Sequence, residues 1–401
     1  MLPPHPLLRF SDLRAGAGRP DLLQLVTQNG VHPFYSARAA IYQLACFLRT
    51  RGRSTILLPA FHCPSVVEPV LRAGMRPTFY RIDRKLEVDL SDVSARLNTD
   101  VAAVLFINYL GWPGHFEPLL ADLRQRDILA VEDCAHSAVR ANPVGLAGQR
   151  SDAAIYSFWK CVPSGVGGGL WLKEDIPFVA PVLARAPVQD SLRRTKQLLE
   201  ELIESRGEGS GAARAWNWIE EKRVRATRRF RTTPATANSR SPAIPPDEAR
   251  QYFFSRRLAQ SRLPWMARQI MKRANLQSIV TARRRNYQAL GNALLHDDRI
   301  AIVHPELPAD ICPHAFAVML ADRSRHDRRL RAAGVPVWTF GSTLHRVLRE
   351  TADPAVLRDA RHLSDAMLLI PVHPLLATAD MEQFADSLNS YAAKEMPCKS
   401  T

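Results

Sequence analysis

The stretch Ser157-Phe158-Trp159-Lys160-Cys161-Val162-Pro163-Ser164-Gly165-Val166-Gly167-Gly168-Gly169 sets a lysine between a β-branched, apolar run and a glycine-rich turn. Ala153 to Ser157 reads as a strand, so Lys160 falls just past its carboxyl end, where open α/β sheets bind ligands. Phe158 and Trp159 beside it imply partial burial. Burial lowers a lysine pKa and yields the neutral amine that attacks carbonyl carbon. The glycines precede a further strand, Gly169 to Leu172, whereas a dinucleotide fingerprint follows a strand and opens a helix. They suit a tight turn that lets backbone pass close to a bound group.

Working outward, Val131-Glu132-Asp133-Cys134-Ala135-His136 places Asp133 at the end of another apolar run, Ile128 to Val131. An amine at one strand end and an acid at another are the parts of a pyridoxal 5'-phosphate (PLP) site. In that reading Lys160 holds the aldehyde as a Schiff base, then shuttles a proton as the released amine. Asp133 keeps the pyridine nitrogen protonated, since an anion favours the charged form of a neighbouring base. The competing readings are an exposed loop lysine and a helix-capping aspartate. His136 reaches the ring or fills the loop, and Ser157 offers its hydroxyl to the phosphate.

Ser36-Ala37-Arg38-Ala39-Ala40-Ile41 opens an amphipathic helix with Ser36 as N-cap. The free amides of that first turn, at Ala37 and Arg38, and the helix dipole suit a phosphate monoester, plain capping being the alternative. Pro59-Ala60-Phe61-His62-Cys63-Pro64 ends the first strand. One of Phe61 and His62 covers the cofactor ring in this reading, with core packing the alternative for Phe61.

From Thr55 to about Leu172, strand runs alternate with helical patterns, which implies a parallel α/β sheet. The strands are Thr55 to Leu58, Thr78 to Ile82, Ala102 to Ile107, Ile128 to Glu132, Ala153 to Ser157 and Gly169 to Leu172, with helices at Pro64 to Ala73 and Phe116 to Arg126. Uninterrupted apolar strands such as Ala103-Val104-Leu105-Phe106-Ile107 suit a sheet covered on both faces. Later, Leu276 to Leu295 reads as a helix leading to strands at Ala315 to Leu320, Val335 to Trp338 and Met367 to Ile370. Helices are expected at His326 to Ala333 and Ala379 to Tyr391. The organisation is an N-terminal segment (1–30), a large PLP-binding domain (31–185), an Arg-rich helical segment and linker (186–275) and a smaller C-terminal α/β domain (276–401).

Hydrophobic residues make up 46% of the 401 and charged residues 23%, the balance of a globular chain rather than a disordered one. No run of about 18 uncharged apolar residues occurs, and the N-terminus has no signal-peptide pattern, so a cytoplasmic protein is expected. Six scattered cysteines without a C-x-x-C pair favour reduced thiols over disulfides or a zinc site. H-E-x-x-H, Walker A and G-x-S-x-G patterns are missing, which counts against metalloprotease, P-loop and serine hydrolase classes. The net charge of +15 and the basic run from Lys222 to Arg231 raise nucleic acid or an anionic membrane surface as partners. A solvated helix is the preferred reading, because no recognition fold accompanies the arginines.

Taken together these motifs resemble the fold type I PLP-dependent enzymes, and among them the DegT/DnrJ/StrS-type sugar aminotransferase family. Ser36-Ala37-Arg38-Ala39-Ala40 is similar to the family's phosphate turn. Leu58-Pro59-Ala60-Phe61-His62 and Asn108-Tyr109-Leu110-Gly111-Trp112-Pro113 resemble two further family segments, Glu132-Asp133-Cys134-Ala135-His136 resembles Glu-Asp-Ala-Ala-Gln, and Ser157 to Gly168 resembles the lysine loop. The resemblance implies a mostly parallel central sheet with helices on both faces plus a small C-terminal α/β domain. It also implies Lys160 as the Schiff-base lysine, Asp133 as pyridinium partner, His136 beside the ring and Ser157 on the phosphate. A homodimer moving an amino group from glutamate to a nucleotide-linked keto sugar follows by the same likeness. The chain departs from the pattern at Arg38, where relatives carry a small hydroxyl residue, and at His136, where they carry Gln. The interval from Ser-Phe to lysine is two residues shorter than usual, and Asn238-Ser239-Arg240 is only a faint echo of the segment that brings a phosphate contact from the neighbouring subunit. Keto-sugar dehydration with the same cofactor, and a non-catalytic PLP-binding or nucleic-acid-binding regulator, are the alternative functions. Dehydratase relatives carry His at the lysine position.

Overall fold

A computed structural model describes Pro6, Leu8 and residues 21–204, 253–294 and 300–395. Nine strands fall in the first part: β1 (His32–Phe34), β2 (Thr55–Pro59), β3 (Arg76–Tyr80), β4 (Val101–Ile107), β5 (Leu129–Cys134), β6 (Val139–Ala141), β7 (Val144–Leu146), β8 (Ala153–Ser157) and β9 (Gly168–Leu172). Seven of them form one sheet in the order β1-β9-β8-β5-β4-β2-β3, while β6 and β7 make a separate hairpin. The four inner pairings from β3 through β8 are parallel. Every residue of β2, β4, β5 and β8 is buried, as expected of strands sandwiched on both faces.

β9 runs antiparallel to β8 and β1 antiparallel to β9, a departure from the expected parallel run. The loop from Phe158 to Gly167 is too short for a crossover helix, so the chain can only double back. β1 escaped the sequence reading because it is three residues long with a central proline, which sheets tolerate at an edge.

The helix Ala37–Thr50 (here αA) buries Ala39, Ala40, Ile41, Leu44, Ala45 and Leu48 and packs across β8 and β9. Its start lies hard against β9. A Cβ added to Gly168 would collide with the backbone of Ser36 and Ala37, so only glycine admits this approach. Lys160 ends a single 3-10 turn, Phe158–Lys160, that leads off β8.

The second part of the chain carries the helix Leu276–Ala293 (αB), a three-stranded antiparallel sheet in the order β10 (Ala301–Ile302), β11 (Ala315–Met319), β12 (Met367–Pro371), and the terminal helix Thr378–Glu395 packed on αB. Tyr287, Leu290, Phe316, Val318, Leu368, Ile370, Phe384 and Leu388 form its core. Val335 to Trp338 is not a strand. Trp338 makes one bridge with Leu369, exchanging both backbone bonds at 2.9 Å, and Pro336 removes the amide a longer ladder would need. The helix expected over Pro64 to Ala73 divides into a 3-10 turn, Pro64–Val66, and an α-helix, Val67–Arg72. The basic run 222–231 and the linker 232–246, with Asn238-Ser239-Arg240, lie outside the described residues, as does Cys398. The other five cysteines are free thiols. Among the described residues no helix is long and apolar enough to cross a membrane.

Gly168→Ala should destabilise the fold by about 1–3 kcal/mol, the usual cost of overpacking. Gly291→Ala, inside αB and 3.5 Å from Phe316, should be neutral or stabilise by up to about 1 kcal/mol. Thermal melting of both variants checks the contrast, and indistinguishable melting temperatures would remove the claimed contact at Ser36.

Candidate active site

Parallel pairing brings three strand ends together. Ile107 lies opposite Asp133 on β4 and β5, and Asp133 lies opposite Ile155 on β5 and β8. Beyond them opens a cavity of about 520 Å³, a size suited to a small-molecule ligand. Ala37, Arg38, Asp133, His136, Ser157 and Lys160 all line it.

Adjacent carboxylates on β5 separate by strand alternation. Glu132, fully buried, is ion-paired with Arg150 at 2.8 Å and accepts the Arg150 backbone N–H at 2.9 Å. Asn108 Nδ2 donates to the same carboxylate at 3.2 Å. Asp133 faces the cavity instead, with Oδ1 accepting only the Ala135 N–H, at 2.9 Å. Burial pushes its carboxyl above the usual range, opposed by the Ala135 bond and by the charge of Lys160.

Lys160 is partly buried, and desolvation is the largest influence on its amine, lowering the pKa. Cys63 and Asp133 act in the opposite sense, while Arg38 adds to the lowering. The backbone around it is fixed: Phe158 N–H donates to Gly167 C=O and Cys161 N–H to Phe158 C=O, both at 2.9 Å. Buried Arg283 of αB donates to the Lys160 carbonyl at 2.8 Å and to the carbonyls of Pro313 and His314 at 3.1 and 2.9 Å. One guanidinium thus ties the lysine turn to the second part of the chain.

At the start of αA, Ser36 Oγ accepts the Ala39 N–H at 3.3 Å, and the first intrahelical bond runs from Ala40 N–H to Ser36 C=O. The amides of Ala37 and Arg38 precede that bond and stand at the positive end of the dipole. His136 stacks on His314 with ring centroids 4.7 Å apart and planes 11° apart, and Phe340 meets it edge-on at 4.7 Å. Its Nδ1 accepts the Leu110 N–H at 3.4 Å, which leaves Nε2 to carry the proton in that tautomer.

Phe61 and His62 do not reach the cavity. Ala60 N–H binds Tyr80 C=O at 2.8 Å, and His62 Nδ1–H turns back onto Pro59 C=O at 2.7 Å, which draws both rings into the core. Phe61 packs edge-on against Phe340 at 5.4 Å. His62 stacks on Phe79 at 5.6 Å, and burial, with His345 adding, depresses its pKa to about 4. Cys63 is the member of that segment on the cavity wall. Tyr35, Arg194, Gln197 and Phe340 also line the cavity and were absent from the sequence reading. Arg194 belongs to a helix, Val188–Glu204 (αC), whose arginines carry no local pattern to separate wall from solvent.

Chemically this donor set fits PLP. It offers an amine of lowered pKa, a carboxylate within its electrostatic reach, and a helix start with free amides and a cation beside the Ser157 hydroxyl.

Residues 36–176 match the DegT/DnrJ/EryC1/StrS aminotransferase family. Over 137 residues the chain is 29% identical to a dTDP-4-dehydro-2,3,6-trideoxy-D-glucose 4-aminotransferase of Saccharopolyspora spinosa, covering 33% of this chain and 35% of that relative. The chain therefore spans about a third of the length of the curated relative it matches. Similarity of fold runs much further. The aminotransferase TlmJ from Streptoalloteichus hindustanus superposes with a TM-score of 0.62 at 19% identity, over 94% of this chain and 92% of that one. The sugar aminotransferase CalS13 from Micromonospora echinospora does so with a TM-score of 0.62 at 18% identity, over 97% and 100%. The fold is thus the one seen in these solved structures, and residues 36–176 of this chain are similar to the DegT/DnrJ/EryC1/StrS aminotransferase family.

Proposed function

We propose that the chain is a PLP-dependent aminotransferase that moves an amino group from an amino acid donor, glutamate first among candidates, to a nucleotide-linked keto sugar. One observation carries this reading. Lys160 and Asp133 line the same cavity from adjacent strand ends, each altering the other's charge.

Bound PLP supplies an electron sink for the pair released when a substrate Cα–H bond breaks. Lys160 would hold the cofactor's aldehyde, and its amine, of lowered pKa, would move a proton at the substrate Cα. Asp133 would keep the ring nitrogen protonated, and its burial would strengthen that pairing, since charges interact more strongly away from water. His136 would pack beside the ring, and the Ala37 and Arg38 amides with the Ser157 hydroxyl would hold the phosphate. Dehydration is disfavoured because Lys160 supplies the amine that amino transfer requires. Two copies, with the site at their boundary, complete the reading.

Wild-type protein loaded with PLP should absorb at the violet edge of the visible, lose the band on glutamate addition and be fixed by borohydride at Lys160. Lys160→Ala should abolish the fixation. Unchanged labelling in that variant, located by peptide mass, refutes the role of the lysine.

Asp133 yields an opposite pair of effects. Its carboxyl pKa is raised by burial in the fold, so ionisation costs stability. That cost builds from the ordinary carboxylate pKa up to the raised one, is complete above it and is absent at lower pH. Asp133→Asn should therefore raise the melting temperature of cofactor-free protein at pH 8, with the gain shrinking toward pH 4, while turnover falls by orders of magnitude. A loss of stability at pH 8 would make Asp133 a structural residue.

A further inference from the structure

αC lays Arg194 along the cavity wall near the first turn of αA. Its Nη1 donates to Gln197 Oε1 at 3.1 Å, and its charge acts on the Tyr35 hydroxyl, which donates to buried Asp190. The Arg194 Nε–H is shut off from solvent and has no hydrogen-bond partner among the described residues, as is also true of Arg283 Nε.

Arg38 enters the same cavity from αA, one guanidinium N–H resting on the Phe253 carbonyl at 3.2 Å. Burial and the nearby Arg194 both make its positive charge harder to hold. Among the described residues Asp133 is the one carboxylate that lines the cavity, and Asp190 accepts the Tyr35 hydroxyl outside it. The charged lining residues are Arg38, Lys160 and Arg194 against Asp133, three cations to one carboxylate, and Asp133 is committed near the lysine. Two guanidiniums beside free helix amides call for an anion of more than one charge. A phosphate monoester provides the charge and the acceptor oxygens for two planar forks.

We propose that Arg194 is a phosphate-binding residue of this site, gripping together with Arg38 the phosphate of the bound cofactor from within a single chain. The assignment rests on the PLP reading above. It gives αC a function that no motif announces.

The test compares PLP with pyridoxal, which has the same aldehyde and ring but no phosphate, by absorbance titration of cofactor-free protein and borohydride fixation. Arg194→Met should weaken PLP binding on the order of ten- to a hundredfold and leave pyridoxal binding unchanged. Inorganic phosphate should compete with PLP in the wild type and much less in the variant. Arg194→Lys, which keeps the charge and loses the fork, should fall between the two and serves as the readout if the methionine variant does not fold. Equal weakening of PLP and pyridoxal would make Arg194 a wall residue and overturn the proposal. Unchanged PLP affinity with weakened competition by uridine diphosphate would assign the arginine to substrate phosphate and overturn it likewise. A wild type that cannot fix PLP at Lys160 overturns the functional reading and this proposal together, whereas retained PLP affinity in Arg194→Met overturns this proposal alone.

Discussion

A strand that carries no side chain where it crosses the start of a helix sets the geometry around the cavity. Gly168 on β9 lets the backbone of Ser36 and Ala37 come into direct contact with the sheet. The first turn of αA, with its unbonded amides, is thereby delivered to the end of β8, where the lysine turn begins. Because β9 doubles back on β8 through a short loop, the lysine and the glycine that seats the helix lie on one continuous hairpin. A shift of either would move both the amine and the anion-binding end of the helix, so the two are positioned by the same contact.

The end of β5 shows how one strand can provide both support and chemistry. Glu132 is matched by Arg150 and Asn108, an arrangement that fixes the loops around it and leaves nothing for a ligand. Asp133, one residue on, receives a single backbone N–H and keeps its remaining acceptor capacity for the cavity. Arg283 does for the lysine what Arg150 does for the strand. Its Nη1 and Nη2 donate to three carbonyls, that of Lys160 among them, so the backbone beneath the reactive amine is held by the helix of the second part. Rigid surroundings matter here because a displacement of an ångström in a reacting group can cost about a hundredfold in rate.

The buried strands between residues 55 and 172 were legible because parallel strands are written as uninterrupted apolar runs, as in Ala103 to Ile107, whereas the three-residue strands β6 and β7 and the helix Leu90–Arg96 were not read. Lys160, Asp133, His136 and Ser157 were legible as cavity residues because each follows such a run, and chain ends of parallel strands share an edge. The segment from Pro59 to Pro64 was misjudged for a local reason. Which of three consecutive side chains faces the cavity depends on the Ala60 backbone bond and the His62 ring bond, which no periodicity encodes. Val335 to Trp338 has strand composition, yet Pro336 limits it to one bridge. Arg194 and Phe340 were invisible because each comes from an element whose placement depends on long-range packing, Phe340 being wedged between Phe61 and the His136 ring.

Buried charge in this protein divides into two kinds, and the division argues for function more strongly than any single residue. Glu132 and Arg150 are paired, as a fold requires of charges removed from water. Lys160, Asp133 and Arg38 are all pushed by burial toward their neutral forms, and Arg194 lines the same cavity. A chain selected for stability alone would replace these four with apolar or paired groups, since each costs free energy in the cofactor-free fold. Their persistence around one cavity is the arrangement expected where a ligand of opposite charge and a covalent partner complete the site, so binding should stabilise this fold well beyond the contacts that the polypeptide makes with itself.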